Sequence, residues 1–357
     1  MNILYVSSYT NLAARRANVT NVVYMCDALA RHGVTVWLVA FVPWNKLLLS
    51  KSILTNIDPD LNFKLIPIPY INLKGIYLLF DLLAFFLAVV ALINGCKVYT
   101  RNCRFSRYLY RLNKNFFIEL HDFSLSTQYC LETCKNVKYF PISEGIINSI
   151  ENKFSSRRMY LLPDASKLAE PSGYTIGAAG PTLTYVGSSN PGKGLEFILS
   201  LAEELKDLTF VLVGDLPKSK KLPNLIYMGY LHKRDISSII QSSDILLAPY
   251  QSHVLDNAGN DISNYMSPLK IFEYMESNTP FICTRAQFLQ NFLVENEHCL
   301  MAETSDTKEW IEKIRLILED NKVGSDLSRN ARSYQQEFFT WEKRAQKVIS
   351  IMRRGQR

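Results

Sequence analysis

Two runs of short apolar segments alternating with helix-patterned ones, separated by one break rich in glycine and proline, restrict the fold of this chain more than any other feature. Strand-like Ile3–Val6, Val34–Ala40, Phe63–Ile68, Lys97–Thr100, Phe116–Leu120, Val137–Phe140 and Met159–Leu162 are interleaved with helix-like Val19–Arg31, Ile76–Ile93, Phe105–Leu112 and Glu144–Lys153. Parallel strands need long crossovers, usually helical, so this rhythm predicts a doubly wound parallel α/β sheet. The stretch Pro163–Pro181, with Pro171, Gly173, Gly177 and Gly180, breaks it. Beyond the break come strands Leu183–Val186, Thr209–Val213, Leu225–Met228, Ile245–Ala248 and Phe281–Thr284, with helices Leu195–Leu205, Ile236–Gln241, Pro268–Met275 and Thr307–Leu318. The expectation is two Rossmann-like domains, residues 1–165 and 182–338, joined by a linker at 166–181. A last segment, 339–357, carries a helix from Trp341 to about Met352 that is expected to pack back on the first domain. A length of 357 residues suits two hydrophobic cores.

Charge separates the halves. Residues 1–164 hold 18 Lys+Arg against 10 Asp+Glu, and the remainder holds 22 against 23. The excess in the first half suggests an anionic partner there, either a membrane surface or a phosphorylated acceptor; no basic run or RNA-binding signature points to nucleic acid. The seven cysteines form no CxxC pair or metal-spaced cluster. Cys130 and Cys134 lie one helical turn apart, but two ligands make no zinc site. Met1 leads directly into strand-like Asn2–Val6 with no basic leader or small-residue cleavage site, so a cytoplasmic chain is expected, peripheral to the membrane if its basic half meets lipid.

Ile76–Ile93 is eighteen residues long with one charge, Asp81, and reaches the lower limit for a membrane span. Tyr77, Asp81, Ala84, Ala88, Ala91 and Gly95 recur at three and four residues as a less apolar seam. A carboxylate mid-helix is costly in lipid, which favours a docked helix over a span. Arg104, Arg107 and Arg111 also recur at helical spacing, beside Tyr108 and between Arg101 and Lys114. They read either as a solvated helix surface or as a face toward anionic lipid.

The most informative segment for chemistry is Ser267-Pro268-Leu269-Lys270-Ile271-Phe272-Glu273-Tyr274-Met275. Ser267 suits an N-cap and Pro268 a first helical position, so helix N–H groups would face out of an irregular loop and could hold an anion. Lys270 adds a cation, and Glu273, one turn on, could grip vicinal hydroxyls. The bland alternative is a capped amphipathic helix with Lys270 and Glu273 in water. Val186-Gly187-Ser188-Ser189-Asn190-Pro191-Gly192-Lys193-Gly194 follows a strand and precedes a helix, giving a flexible turn with a lysine. Val213-Gly214-Asp215, Met228-Gly229-Tyr230 and Ala248-Pro249-Tyr250 end further strands at the carboxyl edge, where such sheets bind ligands. Tyr230 offers a flat face to a base, or is simply a loop tyrosine.

Together these segments resemble the retaining, GT-B-fold glycosyltransferase family 4, along with Thr279-Pro280 and Phe339-Thr340-Trp341-Glu342 in the second half and Tyr99-Thr100-Arg101-Asn102, Glu119-Leu120-His121-Asp122 and Ile142-Ser143-Glu144 in the first. The resemblance implies two Rossmann-like domains facing across a cleft, a nucleotide-diphosphate sugar on the second and an acceptor on the first. It implies that Lys193, Ser188, Pro268, Leu269 and Lys270 bind the diphosphate, Glu273 the ribose, and Gly229 and Tyr230 the base. His121 becomes a catalytic residue beside the reacting sugar. No metal or other cofactor is implied, because lysine and the helix N-terminus neutralise the leaving group.

Three positions depart from the family pattern. Tyr265 stands where an acid eight residues before Glu273 is usual, with Asp261 and Asn264 as substitutes for the donor sugar. Ser188 replaces a common arginine. The loop after the first strand, often glycine-rich, reads Tyr9-Thr10-Asn11-Leu12-Ala13-Ala14-Arg15-Arg16, bringing Thr10, Asn11, Arg15, Arg16 and the more distant Arg101 to the acceptor side. The expected activity is a retaining hexosyl transfer onto a lipid-linked or polysaccharide intermediate of a surface glycan. Two rivals stand beside it: a catalytically weakened GT-B protein that binds sugar nucleotide or a partner, and a sugar-nucleotide epimerase, which needs further carboxylates that the sequence does not offer.

Overall fold

The apolar segments of the first half pair as one parallel sheet. The computed structural model describes residues 1–14, 17–55, 57–112, 116–154, 156–178, 180–256 and 259–354. Its elements are β1 (Asn2–Asn11), α1 (Ala17–Arg31), β2 (Thr35–Pro43), a 3-10 turn at Trp44–Leu49 running into α2 (Ser50–Thr55), β3 (Lys64–Tyr70), α3 (Ile76–Ile93), β4 (Lys97–Thr100), α4 (Cys103–Leu109), β5 (Phe117–Leu120), α5 (Leu125–Thr133), β6 (Lys138–Pro141), α6 (Glu144–Phe154) and β7 (Arg158–Met159). Strand order is β3-β2-β1-β4-β5-β6-β7, so the winding reverses between β1 and β4. The inner strands are buried on both faces, which is why they read as mostly apolar runs, with Lys97, Thr100 and Glu119 as buried exceptions.

The second sheet repeats the plan with β8 (Thr182–Val186), α7 (Leu195–Glu204), β9 (Thr209–Val213), β10 (Leu225–Gly229), α8 (Lys233–Ser242), β11 (Ile245–Ala248), α9 (Leu269–Glu276), β12 (Phe281–Thr284), α10 (Gln287–Gln290), β13 (Leu300–Ala302), α11 (Thr307–Glu319) and α12 (Asn321–Phe338). Its order, β10-β9-β8-β11-β12-β13, reverses between β8 and β11. α12 escapes a reading from apolar periodicity because its inner stripe is Gly324, Leu327, Ser328, Ala331 and Gln335, mostly small or polar. Gln335 is satisfied there by donating from Nε2 to Ser166 Oγ at 2.9 Å.

Two compact units result, Met1–Asp164 together with Trp341–Arg357, and Ala165–Thr340. The glycine- and proline-rich stretch is therefore part of the second unit. The Leu168 N–H donates to Glu276 Oε2 at 3.0 Å and the Ser172 N–H to Ser238 Oγ at 2.9 Å, anchoring it there. The last helix, α13 (Trp341–Arg353), belongs to the first unit, where it packs on α1 with Trp341 beside Tyr24. Lys97 and Lys138 donate from Nζ to the carbonyls of Met352 and Ile351, each at 2.8 Å, closing the carboxyl end of α13. Adding this helix raises the first unit to 24 Lys+Arg against 11 Asp+Glu, or +13, and leaves the second at 16 against 22, or −6.

α3 lies on the sheet by one face only. Ile76, Phe80, Asp81, Ala84 and Ala88 are buried. Asp81 receives Tyr9 Oη on both carboxylate oxygens at 2.9 Å and Asn102 Nδ2 at 3.0 Å, and pairs with Arg104 Nε at 3.1 Å. This cage explains the one charge of the helix and fixes it to β1 and α4. It also corrects the arginine face. α4 begins earlier than expected because Asn102 caps it, accepting from the Phe105 N–H at 3.0 Å, and it ends at Leu109. Arg111 therefore lies beyond the helix, Arg104 is spent on Asp81, and Arg107 stacks on the Tyr129 ring at 5.7 Å. Lys114 lies outside the described residues.

Candidate functional site

Ligands of open α/β sheets bind beyond the strand carboxyl ends where the winding reverses. In the second unit that point is formed by the turns after β8 and β11, and the two are built into one another. Gly194 has φ 86°, and a Cβ there would lie 1.9 Å from the Pro249 carbonyl oxygen, so only glycine allows this approach. A Cβ on Gly187 would meet Tyr185 Oη at 2.6 Å and Lys270 Nζ at 3.0 Å. Tyr185 instead lies under the turn and donates to the Ser188 carbonyl at 2.9 Å. Ser188 contributes this backbone group while the residue itself is exposed.

The helix that follows, α9, starts one residue later than the sequence suggests. Pro268 is its N-cap, with φ −79° and ψ 106° and no side-chain capping bond, so Ser267 sits before the cap. Proline has no N–H to offer, and Leu269 and Lys270 carry the first-turn amides, which helix geometry leaves without intrahelical acceptors. Tyr274 on the same helix ties it to the strands, accepting from the Val186 N–H at 3.0 Å and donating to the Leu247 carbonyl at 3.3 Å.

Two lysines converge on one ring. Lys270 Nζ stands 4.9 Å and Lys193 Nζ 5.2 Å from the centroid of Tyr250, and Lys270 is also 4.1 Å from that of Tyr185. Lys270 Nζ is buried with no hydrogen-bond partner among the described residues. Burial, then the neighbouring Lys193 charge, pulls Lys270 well below the usual lysine range against a smaller opposing effect of Glu273. Burial brings Lys193 down to about 8. Glu273, one turn after Lys270, is pushed up to about 7, mainly by burial; Lys233 and Lys270 oppose the shift and Glu276 adds to it. Two lysines close to one ring, one of them with a buried Nζ, beside a helix N-terminus are an arrangement that could receive an anion. Sequence reading had found both lysines but not the shared Tyr250 ring, whose only signal was its place after a strand.

Gly229 ends β10, and Tyr230, the next residue, is 52% exposed. The Gly229 carbonyl accepts from the Gly214 N–H at 2.9 Å, joining this turn to its neighbour. Asp261 is committed within its loop. Its Oδ2 meets His253 Nδ1 at 2.7 Å, and its Oδ1 accepts from the Ser263 N–H at 2.9 Å and Oγ at 2.7 Å. Asn264 is exposed and Tyr265 half-buried in the same loop.

In the first unit the reversal between β1 and β4 holds a pocket of about 360 Å³, lined among others by Tyr9, Arg101, Asn102, Arg104 and Asp122. Tyr9 reaches it through a left-handed backbone, φ 54°, at an irregularity in β1. Thr10 is buried and Asn11 accepts from the Ala13 N–H at 3.1 Å, so neither contributes to this lining; Arg15 and Arg16 lie outside the described residues.

Behind the pocket lies a charged core. Buried Glu119 accepts from Tyr99 Oη and from Arg344 Nη1 at 3.2 Å, and Arg101 Nε lies 3.7 Å away. Burial alone would raise Glu119, but Arg344, His121 and Arg101 hold it well below the carboxylate range. Burial and Arg101 lower His121, outweighing Glu119. A neutral ring then has one arrangement. Arg101 Nη2 donates to Nδ1 at 2.9 Å, so the proton sits on Nε2, which donates to Glu119 Oε1 at 2.7 Å. Both nitrogens are occupied, which leaves the ring without the free proton site that a direct acid–base role requires. Arg101 is the member of this network that lines the pocket, and its Nη1 is buried without a partner. Arg344 also bonds the Pro163 carbonyl from Nε at 2.9 Å.

With these geometries in hand, the architecture is that of the GT-B glycosyltransferases, two parallel sheets with helices. The chain superposes on the Anabaena protein HepE, solved in complex with UDP and glucose, with a TM-score of 0.71 and 11% identity over 99% of each chain. Residues 180–320 match the family model described as Glycosyl transferases group 1. An uncharacterized glycosyltransferase of Methanocaldococcus jannaschii is 21% identical over 222 residues, 59% of this chain and 58% of that one. A Bacillus subtilis protein named for teichuronic acid biosynthesis as a glycosyltransferase is 25% identical over 146 residues, 39% of this chain and 34% of that one. The matches thus span 58% and 34% of these curated relatives' lengths.

Proposed function

We propose that this chain is a retaining glycosyltransferase of family 4 that moves a hexose from a nucleoside-diphosphate sugar to a saccharide acceptor, lipid-linked or polysaccharide, of a surface glycan. The observation that carries the proposal is Lys270 Nζ, buried with no hydrogen-bond partner among the described residues, beside Lys193 at the start of α9 and at the winding reversal of the second sheet. In this reading the two ammonium groups and the Leu269 and Lys270 amides take the diphosphate, and Ser188 and Pro268 shape its cradle. Glu273 accepts from the ribose hydroxyls, Tyr230 stacks on the base at Gly229, and Asn264 and Tyr265 face the donor sugar with Asp261 holding their loop. The same positive groups stabilise the departing diphosphate, a charge role that needs no metal. The acceptor binds in the first unit at Arg101, and His121 is a positioning residue that orients Arg101 through Nδ1. Of the named relatives, HepE holds UDP and glucose and another is assigned to teichuronic acid biosynthesis, which favours a UDP-sugar and a surface glycan. A cytoplasmic site of action fits such a donor.

The rival reading, a sugar-nucleotide-binding protein without turnover, draws on Tyr265 and on the engagement of Asp261 by His253 and Ser263. Mass-spectrometric detection of product across a panel of nucleotide sugars and glycan acceptors separates the two. Glycoside product with free nucleoside diphosphate is expected. Tight nucleotide binding without product would establish the rival, and no nucleotide binding would defeat both. In the active case His121→Ala should lower turnover while leaving nucleotide affinity unchanged, and His121→Gln, which can still accept from Arg101, should recover part of it.

A further inference from the structure

α3 carries its apolar residues on the side away from the protein. The face against the sheet uses small or polar Ala84, Ala88 and Asp81 besides Ile76 and Phe80, whereas Leu79, Leu82, Leu83, Phe86, Val90 and Ile93 form an exposed stripe, with Phe86 65% and Ile93 79% accessible. A surface helix ordinarily turns polar residues to water. Among the eighteen residues of α3 the only charge is Asp81, and it points inward. Six large apolar side chains over about 21 Å of helix expose a patch on the order of several hundred Å², the scale at which an interaction partner is called for.

Further exposed apolar residues lie on the connection that follows β2. Tyr77 packs on Phe41 of β2 at 6.1 Å, and β2 runs directly into the Trp44–Leu49 turn, where Trp44 is 64% and Leu48 fully exposed. Exposed Lys46 and Lys74 stand within these same two connections. Tryptophan and lysine beside an aliphatic face are the residues that hold a helix at the level of lipid headgroups. The unit presenting this face carries +13, so a second copy would bring like charge against like, while an anionic bilayer offers both the opposite charge and a place for the apolar stripe.

We propose that the outer face of α3, together with Trp44 and Leu48, is a docking surface for anionic bilayers on which the helix lies flat. It cannot leave the sheet to span without breaking the Tyr9, Asn102 and Arg104 contacts of Asp81 and carrying that carboxyl into hydrocarbon. This surface supersedes the arginine face as the lipid-contacting element. It does not depend on the transfer reaction, because its test uses no sugar.

The test is flotation of the full chain with phosphatidylcholine vesicles and with equimolar phosphatidylcholine–phosphatidylglycerol vesicles. Binding is expected to the anionic vesicles, reduced by salt and removed by alkaline wash. Leu82→Glu with Phe86→Glu should weaken it at least about tenfold while leaving the thermal melt unchanged, and Lys46→Glu with Lys74→Glu should weaken it on anionic vesicles. In the unaltered protein, brominated lipid should quench a fluorescence component that Trp44→Phe removes, a readout that survives if the glutamate variant does not fold. Flotation of a folded Leu82→Glu, Phe86→Glu variant at wild-type strength would overturn the proposal, as would absence of binding to either vesicle. Retention through salt and alkali would overturn the flat orientation. Dimerisation abolished by the glutamates without any vesicle binding would assign the face to a second copy.

Discussion

Binding of a nucleoside diphosphate should draw protons from solution near pH 8, because the two lysines that would meet it are poorly protonated beforehand. Burial holds Lys193 at about 8 in the free protein, so about half of it is neutral at pH 8 and about nine-tenths at pH 9. An incoming diphosphate favours the charged form and restores an ordinary pKa. Lys193 thus takes up about 0.5 proton at pH 8, and Lys270, depressed by burial and by Lys193, adds to that uptake. The free-state pKa lies below the bound one, so the lysines' contribution to affinity is full at lower pH and falls as pH rises past 8, by up to about tenfold per unit for each coupled proton. Calorimetric titration of UDP at pH 8 and 9, in HEPES and in Tris, reads this directly, since the enthalpy difference between buffers is proportional to protons taken up. Lys193→Ala should remove its share of the uptake and weaken binding by about 1.5–3 kcal/mol, roughly 10–150-fold. Equal enthalpies in both buffers, together with unchanged affinity in the variant, would refute the placement of the diphosphate between these lysines.

Two further results are expected. Glu273, pushed up to about 7, is largely protonated at pH 6 and accepts more strongly from ribose hydroxyls once ionised, so its contribution to UDP affinity should rise from pH 6 to 7.5. Glu273→Gln should flatten that limb and cost roughly tenfold or more, measured by the same calorimetry. Arg344→Met leaves Glu119 and Asp164 buried without their strongest counter-charge and should cost about 3–5 kcal/mol in urea denaturation near pH 7. Glu119 is held below its unfolded pKa, so its contribution is present at neutral pH and is lost on acidification through its folded value. Arg344→Met should therefore be less sensitive to acid than the wild type.

The sequence alone determined the layers and pointed to the residues of the candidate donor site. Strand and helix periods are local properties, and the inner strands are mostly apolar because both their faces are covered, so the alternation could be read without knowing any partner. Lys270 and Glu273 were legible for the same reason, since three residues of one helix place them on neighbouring turns. Tertiary structure decided which groups those residues face. That the two lysines share Tyr250, that Asp81 is caged by Tyr9, Asn102 and Arg104, and that His121 has both nitrogens engaged all depend on residues from separate strands and helices. Arg344 meets Glu119 across 225 positions of chain. The apolar side of α3 was visible as composition, but its outward direction was fixed by the one carboxylate that found partners on the sheet. Burial energy is set by what lies across a contact, and a linear pattern records only one side of it.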